Sequence, residues 1–166
     1  MPIDLEKGYV AVDKVEGEFI SAKDGVLEGL VPMVDFEFDG LVYMKKKDRQ
    51  DGFDTSLTLV FGKLAEAKVF EYLVNNGAMN KSFDDGFILN AKYFQSHIAT
   101  FYIHPATDNL EKAINALKVG DQIRLKGNFV YLSTKRGLIK TSLNPNEFKC
   151  KYIFLSEMAT KESIYN

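Results

Sequence analysis

From Val34 to Met44 the chain reads VDFEFDGLVYM, and its apolar and polar positions alternate. Val34, Phe36, Phe38, Val42 and Met44 share one face, and Asp35, Glu37, Asp39, Leu41 and Tyr43 share the other. A period of two predicts a strand with one buried face. Upstream, GYVAVDKVEGEFISAK (8–23) predicts two short strands about a turn near Glu16-Gly17. Downstream, KKKDRQDGFD (45–54) reads as a polar loop, with Asp51-Gly52 as turn chemistry. LTLVF (57–61) follows as a strand.

The period then changes. KLAEAKVFEYLVNN (63–76) places Leu64, Ala67, Phe70, Leu73 and Val74 along one helical face, and Gly77 stands where a helix would stop. NKSFDDG (80–86) reads as a loop, and FILNAKYF (87–94) and HIATFYI (97–103) as paired strands, the second apolar on both faces. A second helix near 109–118 carries the stripe Leu110, Ala113, Ile114 and Leu117. Asp108 stands as its N-cap with Glu111 three residues on, a capping-box spacing, and Gly120 ends it. DQIRLKGNFVYL (121–132) predicts a strand burying Ile123, Leu125, Phe129 and Tyr131 and exposing Arg124, Lys126 and Asn128. Gly127 at its middle marks a bend or bulge. CKYIFLSEM (150–158) is the last strand, and 159–166 reads as a loose tail.

About nine short strands and two helices define an α+β, mainly β chain. A long Gly-interrupted strand beside one helix predicts a small OB-like β-barrel over 34–158, within a single domain. Residues 1–33 supply an N-terminal strand extension.

Composition narrows the function classes. Apolar residues make up 46% of the chain, enough for a packed core, so disorder is excluded as a description of the whole. Lys and Arg number 21 against 23 Asp and Glu, a formal charge of −2, which argues against a dedicated duplex-DNA binder while allowing a local basic groove. Cys150 is the sole cysteine, so neither an intrachain disulfide nor a Cys-based zinc site is expected. No window reaches transmembrane length and MPIDLEKGYV lacks the pattern of a signal peptide. The chain as it stands is expected in the cytoplasm, or exported if a leader has been removed.

Four short motifs follow one another in order: LVFGKLAEAKVFEYL, SHIATFYIHPA, KVGDQIRLKGNFV and TSLNPNEFKCKYIFLSEM. This succession resembles a loosely defined family of uncharacterised bacterial proteins, over roughly residues 34–158. The chain departs from that pattern in having no Trp and in carrying Tyr102 where a second histidine would stand. The resemblance implies an OB-like barrel and a bacterial or phage origin, and brings no activity with it.

Candidate chemistry is sparse. His97 and His104 on one regular strand would face opposite ways and would not jointly hold a metal without a bulge. Either reads as a general base or a single ligand, or else His104, just before Pro105, hydrogen-bonds locally at a strand end. Cys150 beside Thr141 and Ser142 reads as a nucleophile cluster or as a buried small hydrophobe. Asp35, Glu37 and Asp39 form a carboxylate row suited to a cation, or the solvated side of a strand. Asp84-Asp85-Gly86 is turn chemistry. No phosphate loop, HExxH or GxSxG occurs, and no catalytic residue, metal or cofactor is expected.

Two functional expectations remain. The first is a non-catalytic interaction domain for a protein, a second copy or a polar macromolecule, with Leu41, Tyr43, Val130 and Leu132 as exposed apolar interface residues. The second is a sequence-tolerant binder of single-stranded nucleic acid. It would use the basic cluster Lys45, Lys46, Lys47 and Arg49, joined by Arg124 and Lys126. Such binding requires aromatic platforms and cations on one exposed face. Within single strands the parity is wrong, since Arg124 and Lys126 alternate against Phe129 and Tyr131.

Overall fold

The organising element is a single strand of 24 residues. In the computed structural model, which describes residues 2–15, 17–50, 53–144 and 150–166 (side chains of 10–12 and 48–50 excepted), β3 runs from Leu27 to Gln50. The alternation from Val34 to Phe38 holds, and both flanks extend it. Residues 27–30 pair with neighbours on both sides, and the lysine-rich 45–47 pairs with 55–57 of β4 (Phe53–Val60). The expected polar loop at 45–54 is therefore the end of one strand and the start of the next. Cross-strand hydrogen bonds outweigh the low strand propensity of lysine. Asp51-Gly52 lies outside the described residues.

Antiparallel pairing connects β3 to β4, and β4 to β7 (Ile98–Pro105). β7 runs parallel to β10 (Lys151–Ala159), which pairs antiparallel with β8 (Gln122–Thr134). β8 returns to β3, from Leu41↔Gln122 to Leu27↔Thr134, so five strands close a ring. β1 (Tyr9–Lys14) and β2 (Ile20–Asp24) each pair with β3 rather than with each other. β9 (Gly137–Ile139) pairs with β8 at the end of the sheet. The tail is not loose. β11 (Ile164–Tyr165) pairs with Met158 and Ala159 of β10, its turn held by Thr160, and Tyr165 packs on the core.

The ring is filled from both walls by Val34, Phe36, Phe38, Leu57, Leu59, Phe101, Ile103, Ile123, Leu125, Phe129, Ile153 and Leu155. α3 (Asp108–Asn115) seals one end with Leu110, Ala113 and Ile114. Its N-cap is Thr107, whose hydroxyl accepts the Leu110 N–H at 3.2 Å, and not Asp108. Asp108 and Glu111 sit in the first turn, where the helix dipole favours them. The other end of the helix rests on Lys45, whose Nζ donates to Asn115 O and Leu117 O at 2.7 and 2.8 Å.

Between β4 and β7 lies an inserted unit. It comprises a 3-10 turn at Gly62–Ala65, α1 (Ala67–Asn76), the short strands β5 (Lys81–Ser82) and β6 (Ile88–Leu89), and α2 (Ala91–Ser96). Gly77 ends α1 at φ +73°, as the sequence predicts. In α1, Val69 is buried, while Ala67 and Val74 are exposed, because the helix begins after a break at Glu66. FILNAKYF is not a strand: Asn90 caps α2 by accepting the Tyr93 N–H at 2.9 Å. The insertion forms its own cluster against the outer face of the ring, around Leu41, Val60, Leu64, Phe70, Leu73, Leu89 and Ile98.

Gly127 explains a second irregularity. A Cβ there would lie 2.0 Å from Phe154 O. Across from it, the β8–β10 register slips between Leu155 and Glu157, so the bulge falls on the partner strand and not on β8. A glycine admits that close approach.

Candidate functional site

The polar faces of β3 and β8, read separately as solvated, meet each other. Register places Asp35 opposite Asn128, Glu37 opposite Lys126 and Asp39 opposite Arg124. Asn128 Nδ2 donates to Asp35, Lys126 Nζ lies 3.1 Å from Glu37 and 3.5 Å from Glu157, and Arg124 forks onto Asp39 at 2.6 and 2.8 Å. Burial deepens along the row: Asp35 is exposed, Glu37 half-buried, and Asp39 wholly buried. Arg124 Nη2 also donates to Pro2 O, and Asp39 Oδ2 accepts the Asp4 N–H at 2.7 Å, so the N-terminal segment covers the pair.

Hydrogen bonding to Asp39 raises the Arg124 pKa above its ordinary value; the charges of Asp39, Glu37 and Glu157 add to this and burial opposes it. Lys126 is raised first by its hydrogen bond to Glu37. Arg124 and Lys126 are thus engaged in holding two strands together, and the carboxylate row is a set of cross-strand partners.

The proposed apolar interface is also corrected. Leu41, Val130 and Leu132 are 7, 0 and 7% exposed. Leu41 faces the insertion, as does half-buried Tyr43, whose ring meets Phe70 and Phe94 edge-on. Val130 and Leu132 lie on the ring's outer side, as alternation from Phe129 requires, but they are covered there. The β3–β8 register shifts between Pro32 and Val34 and turns Leu30 outward beside them, in one cluster with Leu27 and Phe53. Both strands are covered on two faces there, which single-strand parity does not reveal. Met44, expected to be buried, is 38% exposed, since the register also shifts between Val42 and Met44.

Of the basic cluster, Lys45 caps α3, Lys46 and Lys47 are exposed, and the Arg49 side chain lies outside the described residues. Among the described residues no carboxylate lies within ion-pair distance of Lys46 or Lys47.

The outer face of the ring carries the arrangement that no single strand shows. Register runs Lys46↔Ser56, Ser56↔Tyr102 and Tyr102↔Tyr152, one row across β3, β4, β7 and β10. At about 4.8 Å per strand, Lys46 and Tyr152 are about 14 Å apart. Tyr102 and Tyr152 stack at 5.0 Å between centroids, with planes 23° apart. In the next row His104 stacks on Phe154 at 6.1 Å, and Phe53 sits edge-on to both His104 and Tyr152. Tyr102, His104, Tyr152 and Phe154 are all half-buried. The preceding row is polar: Thr58 and Thr100 join their hydroxyls at 3.0 Å. The face therefore runs from the insertion, over hydroxyls, onto an aromatic shelf with Lys46 at its edge.

The remaining candidates separate. His97 caps α2 instead of lying in a strand; its ring stacks on Tyr93 at 3.8 Å and its Nδ1 lies 2.7 Å from Ser96 Oγ. Cys150 is exposed, not buried. The buried row of β10 is Lys151, Ile153 and Leu155, one residue out of step with the expected Tyr152 and Phe154. Thr141 donates to Val130 O at 2.6 Å, away from any nucleophilic role with Cys150. Among the described residues no three His, Cys, Asp or Glu side chains converge as metal ligands, and no helix is long and apolar enough to cross a membrane.

The chain matches no protein-family model, no curated protein and no solved structure.

Proposed function

We propose that the ring is an OB-fold and that the protein binds single-stranded nucleic acid without strong sequence preference. Five strands, a non-sequential closing order, a long first strand shared by two neighbours and one helix at the ring's end support the fold assignment. In such folds the face of the second and third strands and the adjoining hairpins carry oligonucleotides. Here those strands are β4 and β7, and the hairpin is the one bearing Lys46 and Lys47.

The observation that carries the reading is the row Lys46–Ser56–Tyr102–Tyr152. It puts a cation and two stacked aromatic rings on one outer face, and backbone-tracking with base stacking requires that combination. An overall charge of −2 is compatible, because Asp39 and Glu37 are matched by Arg124 and Lys126, while among the described residues no carboxylate pairs with Lys46 or Lys47. The alternative, a protein-interaction domain resting on Leu41, Tyr43, Val130 and Leu132, loses its exposed residues.

The test is fluorescence anisotropy of a labelled single-stranded 30-mer titrated with the protein at low and moderate salt. Saturable, salt-weakened binding is expected, with a duplex of the same sequence bound less tightly. No binding at low salt, where phosphate contacts are strongest, would remove the proposal.

A further inference from the structure

The sheet ends in β9, an edge of three residues whose own side chains are apolar. β9 pairs with β8 through Leu132↔Ile139, Ser133↔Leu138 and Thr134↔Gly137, and it is the last strand in the sheet order. Leu138 and Ile139 are 52 and 50% exposed, the only consecutive pair among the exposed large hydrophobics of the described residues. Being consecutive on a strand, they present an apolar group on each face of the edge. Its short length and the flanking Lys135, Arg136 and Lys140 protect it against like-charged edges, while its own side chains are Leu and Ile.

The hairpin is held in place. Thr134 Oγ1 donates to Gly137 O at 2.8 Å and accepts the Arg136 N–H at 3.1 Å; Lys135 N–H donates to Val26 O at 2.9 Å. Around the two apolar residues stand Lys135, Arg136 and Lys140, all exposed, with no carboxylate at ion-pair distance among the described residues. Asp24 and Glu28 share a surface cleft with Lys135 and Lys23. The local balance stays positive.

We infer that β9 is a docking edge for an extended, acidic and apolar peptide segment of another protein, which adds as a strand beside Gly137–Ile139. Main-chain hydrogen bonds along an edge that no strand of the described residues covers supply the geometry, and Leu138 and Ile139 give alternating apolar contacts to the incoming strand. Lys135, Arg136 and Lys140 select acidic side chains flanking it. A second copy of this chain fits worse, because antiparallel pairing of two β9 strands brings both sets of cations together. The inference does not depend on the nucleic-acid reading, which uses Lys46, Tyr102 and Tyr152.

The experiment uses the full chain and three labelled synthetic octapeptides: alternating Glu and Val, the same peptide N-methylated at alternate backbone nitrogens, and alternating Lys and Val. The Glu-Val peptide is expected to bind saturably at low salt. Binding should weaken about tenfold or more on N-methylation, in Leu138→Asp/Ile139→Asp, and in Lys135→Glu/Lys140→Glu, and the Lys-Val peptide should not bind. Circular dichroism checks that these exposed substitutions leave the fold intact. Equal binding of the N-methylated peptide would reduce the effect to charge alone and overturn strand addition. A dimer by light scattering that dissociates in Leu138→Asp/Ile139→Asp would assign the edge to a second copy instead. Loss of 30-mer binding in the Lys135→Glu/Lys140→Glu variant, with the Glu-Val peptide unaffected, would assign the hairpin to nucleic acid.

Discussion

Tyr102 and Tyr152 lie side by side on parallel strands, their rings stacked 5.0 Å apart on the outer face of the ring, in the row that Lys46 begins. Two half-buried tyrosines so placed form a ready platform for a base, since the shelf already has its stacked geometry before any ligand arrives. Tyr102→Leu and Tyr152→Leu keep most of the apolar contact and remove the π-face. Each is expected to weaken single-strand binding by about 1–3 kcal/mol, while the Phe variants bind nearly as wild type. Anisotropy titrations of the four variants check this.

Lys46 and Lys47 should act through phosphate. In Lys46→Ala/Lys47→Ala the slope of log affinity against log salt is expected to become shallower by about 1.4, since each lysine that neutralises a single-strand phosphate adds about 0.7 to it. Thermal stability should hardly change, because both side chains are exposed. A salt titration of the 30-mer complex reads the slope directly.

Arg124 and Asp39 make a contrasting pair, buried and doubly hydrogen-bonded. Arg124→Ala leaves the Asp39 carboxylate unpaired in the interior, and a cost of about 3–5 kcal/mol is expected. Replacing both at once, Asp39→Leu with Arg124→Met, should recover much of that loss. Urea unfolding midpoints of the single and double variants form the measurement.

Lys126 gives a pH signature. Its ammonium is raised above the ordinary 10.5, first by the hydrogen bond to Glu37. A raised folded-state value means that its stabilisation is fully present below about 10.5 and fades as pH climbs through the folded-state value. With the side chain 39% exposed, screening keeps the effect small. Lys126→Met should unfold at lower urea than wild type at neutral pH, and the gap should close at strongly alkaline pH. Binding to the 30-mer should be unaffected.

Gly127→Ala tests the close approach of β8 and β10. The new Cβ would meet Phe154 O at 2.0 Å, a backbone atom that cannot swing aside. A loss of about 3 kcal/mol or more is expected, at or above the usual range for overpacking, read as a lowered unfolding midpoint or as failure to accumulate folded protein.

Much of the ring was legible because alternation reports a buried face wherever one exists. Val34, Phe36, Phe38, Ile123, Leu125 and Phe129 all point inward as the period of two requires. What alternation does not report is the fate of the other face. Asp39 and Arg124 are 85 residues apart and become partners only through register, so each looked solvent-facing alone. The same limit hid the shelf: Lys46, Tyr102 and Tyr152 come from three strands. FILNAKYF misled differently, since a short apolar run fits either a strand or a helix. Asn90 before it was an available signal, as an N-cap residue at the start of a one-and-a-half-turn helix. The lysines at 45–47 argued for a loop by composition, and pairing with 55–57 decided otherwise.

The length of β3 also fixes the order in which the chain assembles. Its first half has no ring neighbour until Gln122–Thr134 has been made, since residues 27–41 pair with β8. During synthesis, Val34, Phe36 and Phe38 therefore wait unpaired on that side while β4, the insertion, β7 and α3 emerge. Loop closure over such a span is entropically costly, so the docking of β8 on β3 should limit the folding rate. Until that strand arrives, the nascent chain presents an apolar edge that a chaperone would recognise.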